Sequence, residues 1–377
     1  MTKVLVLPEV NIHFEGGGSY SVSKNMFLSD KESVFNYVVL ENNKHSKGNS
    51  PKKFLPDFLI KIFSQLHFFI FIYHLRLLYH MRKNVAKYDI NRYNYIISHN
   101  ILQTFVLIYF FGIKKIIYVH HLNGTYYNEY SQRNGKSIIF KFFCNYVEKY
   151  IFKNIKDIGF PSHGARDNFG NKQGLKDKKI HYFYNGVDYD CIQDASRKLK
   201  YSFITVLDCT KFKGLDRIPI FLHSFKKLGI HFHWTYIGNG VLLDKVKKDI
   251  EKLHLTENTT LISRRVSKQE ILKYFSENTF YLGFHRTSIF DYATLEAMSQ
   301  GCIPILTNVG GNKEVIKDNG LLIDESQLNK APRLFIEYVN SNNLSQLRHS
   351  NIHMVRSQFS NKQFIERYLT FIKNNVA

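Results

Sequence analysis

FHRTSIFDYATLEAMSQGCIPILTNVGGNKEVIKDNGLLID, residues 284–324, sets a helix, a strand and a glycine-rich segment close together. The pattern predicts a helix over Ala293–Gln300 that stops at Gly301 and feeds an apolar strand, Cys302–Leu306. Asn308-Val309-Gly310-Gly311 follows, then Glu314 and a turn at Gly320-Leu321-Leu322. The first amides of a helix have no partner inside it, so an amino end offers donors to a phosphate. Glu296, a turn further on, comes within reach of a sugar hydroxyl. This is the layout of a nucleotide-diphosphate site at the carboxyl edge of a parallel sheet.

Strands and helices alternate on both sides of this stretch. Upstream in the same half, strands are expected at Ser202–Leu207, His233–Ile237, Thr260–Ser263 and Thr279–Gly283, with helices at Ile218–Leu228, Leu242–Lys252 and Gln269–Ser276. In the first half the strands are Val4–Leu7, Tyr37–Leu40, Tyr95–Ser98, Ile116–His120, Asp157–Pro161 and Ile180–Tyr184. Helices are expected at Phe54–Lys83, Gln103–Phe111 and Ser137–Lys153. Such alternation builds doubly wound parallel sheets, and 377 residues suffice for two of them with full cores. The expected domains are 1–190 and 191–355, followed by a terminal helix, 356–377. That helix opens on the capping-box pattern Ser360-Asn361-Lys362-Gln363.

Charge is the unusual part of the composition. Against 31 Asp+Glu stand 52 Lys+Arg, a formal charge of +21, which suits nucleic acid, an anionic membrane face or phosphorylated substrates. Cys144, Cys191, Cys209 and Cys302 show no paired spacing, which argues for a reducing cytoplasm and against a disulfide framework or a zinc site. The opening MTKVLVLPEV is too short and too interrupted for a signal peptide.

Residues 284–324 resemble the donor site of GT-B fold glycosyltransferases, specifically the large retaining family 4. The resemblance covers nearly the whole chain and is most specific from about Gly214 onward. That family carries an E-x7-E pattern, and Glu296 takes its second place among Leu295, Ala297, Met298 and Gly301. The resemblance implies that Glu296 binds the ribose hydroxyls of a nucleotide, which one carboxylate can accept from together. The first place of the pattern falls on Ser288, a departure that makes Ser288 a catalytic-position candidate without the acid. Arg286 or Asp291 are candidates to take over part of that acid's contact with the donor, and Asp291 is equally a candidate helix N-cap. Tyr292 and Ala293, at the helix amino end, are further donor-binding candidates.

A second phosphate signal is Thr210-Lys211-Phe212-Lys213-Gly214-Leu215-Asp216. Relatives hold the diphosphate here with an arginine and a lysine-glycine. Lys213 matches the lysine, Asp208 stands at the arginine position, and Lys211 is the candidate substitute. In the first half, Gly16-Gly17-Gly18 closes the first strand and lets backbone approach a ligand, but lacks the G-x-G-x-x-G spacing of a dinucleotide site. The resemblance places this loop near the donor phosphates and the acceptor. It also matches His120, in Ile117-Tyr118-Val119-His120-His121, to a strand-end histidine beside the reacting sugar. His99 ends the preceding strand and is a second cleft candidate. Asp188-Tyr189-Asp190 looks like a metal-binding D-x-D but lacks its strand-and-loop context, so no metal or other cofactor is expected.

From Asn42 to Arg92 ten Lys/Arg face only Asp57 and Asp89, interleaved with Phe, Leu, Ile and Tyr. Polar residues interrupt every apolar run well short of the roughly 20 residues that span a bilayer. An aromatic helix rimmed by cations suits a membrane interface instead.

The expected protein is therefore an α/β, GT-B, hexosyltransferase-type enzyme whose two Rossmann-like domains face a cleft. Its expected substrates are a UDP- or GDP-sugar and a lipid-linked or growing glycan, as in lipopolysaccharide O-antigen or capsule synthesis. The expected setting is cytoplasmic, on the inner face of the plasma membrane. The alternative, a nucleotide-sugar 2-epimerase of the same fold, would need several cleft carboxylates, and the candidate cleft positions hold few. A nucleic-acid-binding protein would need a recognisable module or placed stacking aromatics.

Overall fold

A computed structural model of the chain describes residues 3–7, 22, 25–27, 30, 35–37, 68–170, 172–188 and 200–376. It forms two compact units. The first comprises residues 1–161, 166–183 and 365–377, and the second comprises 162–165 and 184–364. The changeover near the middle of the chain thus falls at Tyr184, a few residues before the position 190 expected from sequence.

The first unit is built on six parallel strands. They are β1 Val4–Leu7, β2 Phe35–Tyr37, β3 Tyr95–Ser98, β4 Ile116–Val119, β5 Asp157–Phe160 and β6 Lys179–Tyr182, in the order β2-β1-β3-β4-β5-β6. β1, β3 and β4 are buried along their whole length. That burial explains their unbroken apolar sequences, because helices cover both faces of a parallel sheet. Among the flanking helices are α1 Phe68–Val85, α2 Ile101–Phe111 and α3 Ile138–Asn154. Asn100 starts α2 by accepting the amides of Leu102 and Gln103, and Gly112 ends it in the left-handed region. The part of the expected Phe54–Lys83 helix before Phe68 lies outside the described residues, as do Gly16, Gly17 and Gly18.

The second sheet holds β7 Ser202–Val206, β8 His233–Ile237, β9 Thr259–Ile262, β10 Phe280–Gly283, β11 Ile303–Thr307 and β12 Leu321–Ile323, in the order β12-β11-β10-β7-β8-β9. β12 corrects the sequence reading of a turn at residues 320–322. Gly320 does precede it, but Leu321, Leu322 and Ile323 pair with Ile305, Leu306 and Thr307 at the sheet edge. Helices α4 Ile218–Lys227, α5 Tyr292–Ser299 and α6 Ala331–Ser341 flank this sheet. The core sets Phe203 and Phe280 of the sheet against Phe221 and Phe225 of α4 and Phe335 of α6. Phe335 packs edge-on to Phe280, with ring centroids 4.8 Å apart. α6 and the following α7, Leu344–Gln358, were not legible as separate helices.

Strand order reverses between β7 and β10, so this sheet's topological switch point lies at their carboxyl ends. In the first sheet the corresponding point lies between β1 and β3. The last helix, α8 Asn361–Val376, is capped by the Ser360 hydroxyl, which accepts the Gln363 amide at 3.4 Å. Further along, Tyr368 stacks on Phe183 at 4.1 Å and Phe371 packs against His181 at 4.6 Å, all within the first unit.

Candidate functional site

The loops after β7 and β10 converge at the switch point of the second sheet. After β7 the chain winds into a tight turn, Lys211–Lys213, closed by Gly214 at φ +66°. Gly214 is obligatory on two counts: the left-handed backbone, and a Cβ there would overlap the Phe284 carbonyl oxygen. The resulting close approach brings Lys213 over the loop that follows β10. Its ammonium lies 3.1 Å from Asp291 Oδ1.

Asp291 takes the expected helix-cap role and adds an ion pair to it. It is the N-cap of α5, with Oδ2 accepting from the Thr294 amide at 3.1 Å, and it is also the counter-ion of Lys213. Oδ2 further accepts from the Thr294 hydroxyl at 2.9 Å and the Tyr281 hydroxyl at 3.2 Å. Burial pushes this carboxyl up, but the Lys213 charge and the hydrogen bonds outweigh it and hold it well below the usual range.

Arg286 is tied to the neighbouring loop. Its guanidinium grips Asp216 bidentately at 2.7 and 2.8 Å and donates to the Lys211 carbonyl at 2.6 Å. It therefore staples the two loops together and fixes the turn that carries Lys211 and Lys213. Asp216 is held low: against its desolvation, the Arg286 hydrogen bond and charge dominate. The Lys211 side chain is exposed. Ser288 is buried, and its carbonyl accepts from the Gly311 amide at 3.4 Å.

Glu296 lies on α5 and shares a helix face with Tyr292 and Ala293. It is partly buried, and desolvation raises its carboxyl to about 7, with Asp291 and Asp188 also raising it and Lys268 opposing. Asp188, from the D-x-D look-alike, accepts from Asn361 at 2.6 Å and lies 3.3 Å from Lys268. These bonds tie it into the second unit.

His285 is a participant the sequence reading passed over. It is fully buried two residues beyond β10, and neither ring nitrogen has a hydrogen-bond partner among the described residues. Burial lowers it to about 4, and the charges of Asp291 and Lys213 act on it in opposite directions. A histidine directly after an apolar strand, as in Tyr281-Leu282-Gly283-Phe284-His285, is the signal that was available.

Three buried histidines mark the carboxyl ends of β3 and β4 in the first unit. His120 donates from Nε2 to the Gly124 carbonyl at 2.8 Å, which leaves Nδ1 to accept from the Tyr118 hydroxyl at 3.2 Å. Both nitrogens of His120 are thus engaged within the unit. His99 Nδ1 and His121 Nε2 lie 2.9 Å apart, and His99 Nε2 has no partner among the described residues. Burial lowers His99 to about 3 and His120 to about 4, and it keeps His121 far down as well, so all three are neutral near pH 7.

Residues 194–352 match the family described as glycosyl transferases group 1. That match lies within the second unit. With two sheets of six parallel strands flanked by helices, the chain has the GT-B fold. Among solved structures, sucrose-phosphate synthase from Thermosynechococcus elongatus superposes with a TM-score of 0.74 at 13% identity, covering 99% of each chain. The pneumococcal O-GlcNAc transferase GtfA, in complex with UDP and GlcNAc, gives 0.57 at 15% identity over 74% of this chain and 56% of that one. At these identities the likeness speaks for the fold. Over 184 residues the chain is 23% identical to a phosphatidylinositol N-acetylglucosaminyltransferase subunit of Arabidopsis thaliana, covering 48% of this chain and 41% of that protein. The match thus spans less than half of the curated relative.

Proposed function

We propose that this glycosyltransferase moves a sugar from a UDP- or GDP-sugar to a lipid-linked or growing glycan, in the synthesis of a surface polysaccharide such as O-antigen or capsule. One observation carries the reading: Lys213, the amino end of α5 and Glu296 converge at the switch point of the sheet that matches the group 1 family. The pneumococcal structure contains UDP and GlcNAc, and the Arabidopsis relative is named for phosphatidylinositol and N-acetylglucosamine, which supports both substrate classes.

In this reading Lys213 turns from Asp291 toward the diphosphate and takes up its charge as the sugar leaves. The amide of Ala293 assists, and no metal is needed. A preorganised cation acts on the leaving group more strongly than on the intact donor, which lowers the barrier. Glu296 accepts from the ribose hydroxyls in its ionised form. Arg286 keeps the Lys211–Lys213 turn in place, and the exposed Lys211 reaches a second phosphate oxygen. Ser288 stands where relatives have an acid, and the anomeric configuration is retained as in those relatives. His121, oriented by His99, offers a neutral imidazole to a sugar hydroxyl, and His120 shapes the loop beside it. The acceptor and the anionic inner face of the plasma membrane are its partners on the first unit's side.

A thermal-shift screen against UDP, GDP, ADP and their sugars tests this. One nucleotide should stabilise the protein, and the shift should vanish in Lys213→Ala and Glu296→Ala. Equal shifts in wild type and both variants would remove these residues from the site and the reading with them.

A further inference from the structure

The outward surface of three helices in the first unit is unusual for a protein in water. Ile138, Phe142 and Tyr146 on α3 are 69%, 71% and 53% exposed, although large apolar side chains are normally withdrawn. They recur every fourth residue, so they form one row along the helix. Lys149 and Lys153 are exposed on the same face and Lys141 at its flank, and the only acid of α3, Glu148, is turned inward, where it accepts the Tyr126 amide.

Ring contacts join this row to the neighbouring helices. Phe105 of α2 meets Tyr146 at 6.1 Å, and Tyr109 meets Tyr150 at 5.3 Å. At the end of α2 the exposed Phe110 lies under the guanidinium of Arg82 from α1, 4.8 Å away. α1 adds exposed Tyr73, Leu75 and Tyr79. Between residues 68 and 156 the chain has 13 Lys/Arg and only Asp89, Glu129 and Glu148 as acids. Large apolar groups and cations, with scarcely any acid, are thus exposed along three helices in mutual contact.

We infer that this face, centred on α3 and the end of α2, is where the protein seats itself on an anionic lipid bilayer. The inference deepens the membrane part of the proposed function by assigning the contact to described helices, not to residues 42–67. Rings and aliphatic groups enter the headgroup boundary, and the lysine stems lie along them with their ammonium groups at the lipid phosphates. Tyrosine suits that depth, having an apolar body and a polar tip. No described helix is long and apolar enough to cross a membrane, so the contact lies in the interface. A second copy fits the face poorly, since a symmetric contact would set the lysine rows against each other. Single-stranded nucleic acid runs in a groove, whereas these rings stand on the outer faces of helices.

The test uses the full chain and vesicles of phosphatidylcholine, alone or mixed with phosphatidylglycerol. The one tryptophan, Trp234, is buried in the second unit, so Phe142→Trp places a clean reporter on the face. Its emission should shift to the blue on the mixed vesicles only. Phe142→Glu with Tyr146→Glu should abolish sedimentation with them, and each of Lys141→Glu and Lys149→Glu should cut partitioning about fivefold or more. Ile220→Glu, comparably exposed on the second unit, should change nothing. Equal partitioning on both vesicle types, or double-variant binding like wild type, would overturn the inference. So would a dimer or an oligonucleotide complex that Phe142→Glu alone dissolves without any vesicle binding. UDP and GDP titration of the wild type on the same preparations reads the second unit separately: no lipid binding with intact nucleotide binding sinks the surface, and the converse sinks the transferase reading.

Discussion

The two sheets have closely related topology, yet the carboxyl edge of one is ionic and that of the other is neutral. At the β7/β10 switch point stand Lys213, Asp291, Arg286, Asp216 and Glu296. At the ends of β3 and β4 stand His99, His120 and His121, all driven by burial toward the uncharged form. The scaffold supplies a place for loops, and the loops choose the chemistry. An edge lined with paired charges is prepared to exchange one anion for another. Neutral imidazoles are prepared to direct a hydroxyl.

The harshest way to break the ionic edge is Gly214→Ala. The left-handed backbone and the Phe284 carbonyl both oppose a Cβ, so urea unfolding should show a loss of about 3 kcal/mol or more. Asp291→Ala should follow at about 2–4 kcal/mol, because it removes an N-cap and leaves Lys213 without its counter-ion. Asp291→Asn should recover roughly the cap's share, about 1 kcal/mol. If Asn and Ala variants unfold alike, the ion pair, not the cap, dominates.

Acid sharpens the contrast. Glu296 is raised to about 7 in the folded protein, so the fold takes up its proton before the unfolded chain does. Its contribution is fully present below about pH 4.5 and is lost as pH rises through 7. Glu296→Gln should therefore raise the unfolding free energy at pH 8 by roughly 1–2 kcal/mol and leave it unchanged near pH 4. His99 and His120 have the opposite sign. The unfolded chain protonates them first, so their contribution holds above about pH 6.5 and is lost as pH falls toward 3–4. In the second unit the depressed His285 and His233 partly offset Glu296. Hydrogen exchange between pH 7 and 5 should accordingly show a steeper loss of protection around β3 and β4 than around β7 and β10. The smallest effect expected is that of His99→Phe, which frees His121 from its 2.9 Å contact and should flatten this acid slope with a stability change near 1 kcal/mol.

What the sequence revealed depended on range. Strand positions, the Lys213-Gly214 turn and the α5 cap were legible because apolar runs, glycine and a capping acid act on near neighbours. The Arg286–Asp216 staple was not, since its partners are 70 residues apart and Arg286 alone reads as a ligand-facing cation. Nor were the different partners of His120 and His121, because two adjacent histidines at a strand end point in different directions and only the following loop, through Gly124, decides which one it ties down. β12 was missed because three residues at a sheet edge carry too little pattern. α3 showed its helical period in full, but not that its apolar residues fall on both faces.

Asp291 gives the ionic edge a property that reaches beyond holding charge. A cation that already owns a partner at 3.1 Å never meets an arriving phosphate empty-handed. Whatever draws Lys213 away strands a sunken carboxylate with only hydroxyl and amide company, and that discomfort persists until the lysine comes home. On the proposed function, the site is tensioned like a latch that springs back, which favours letting the spent nucleotide go over keeping it.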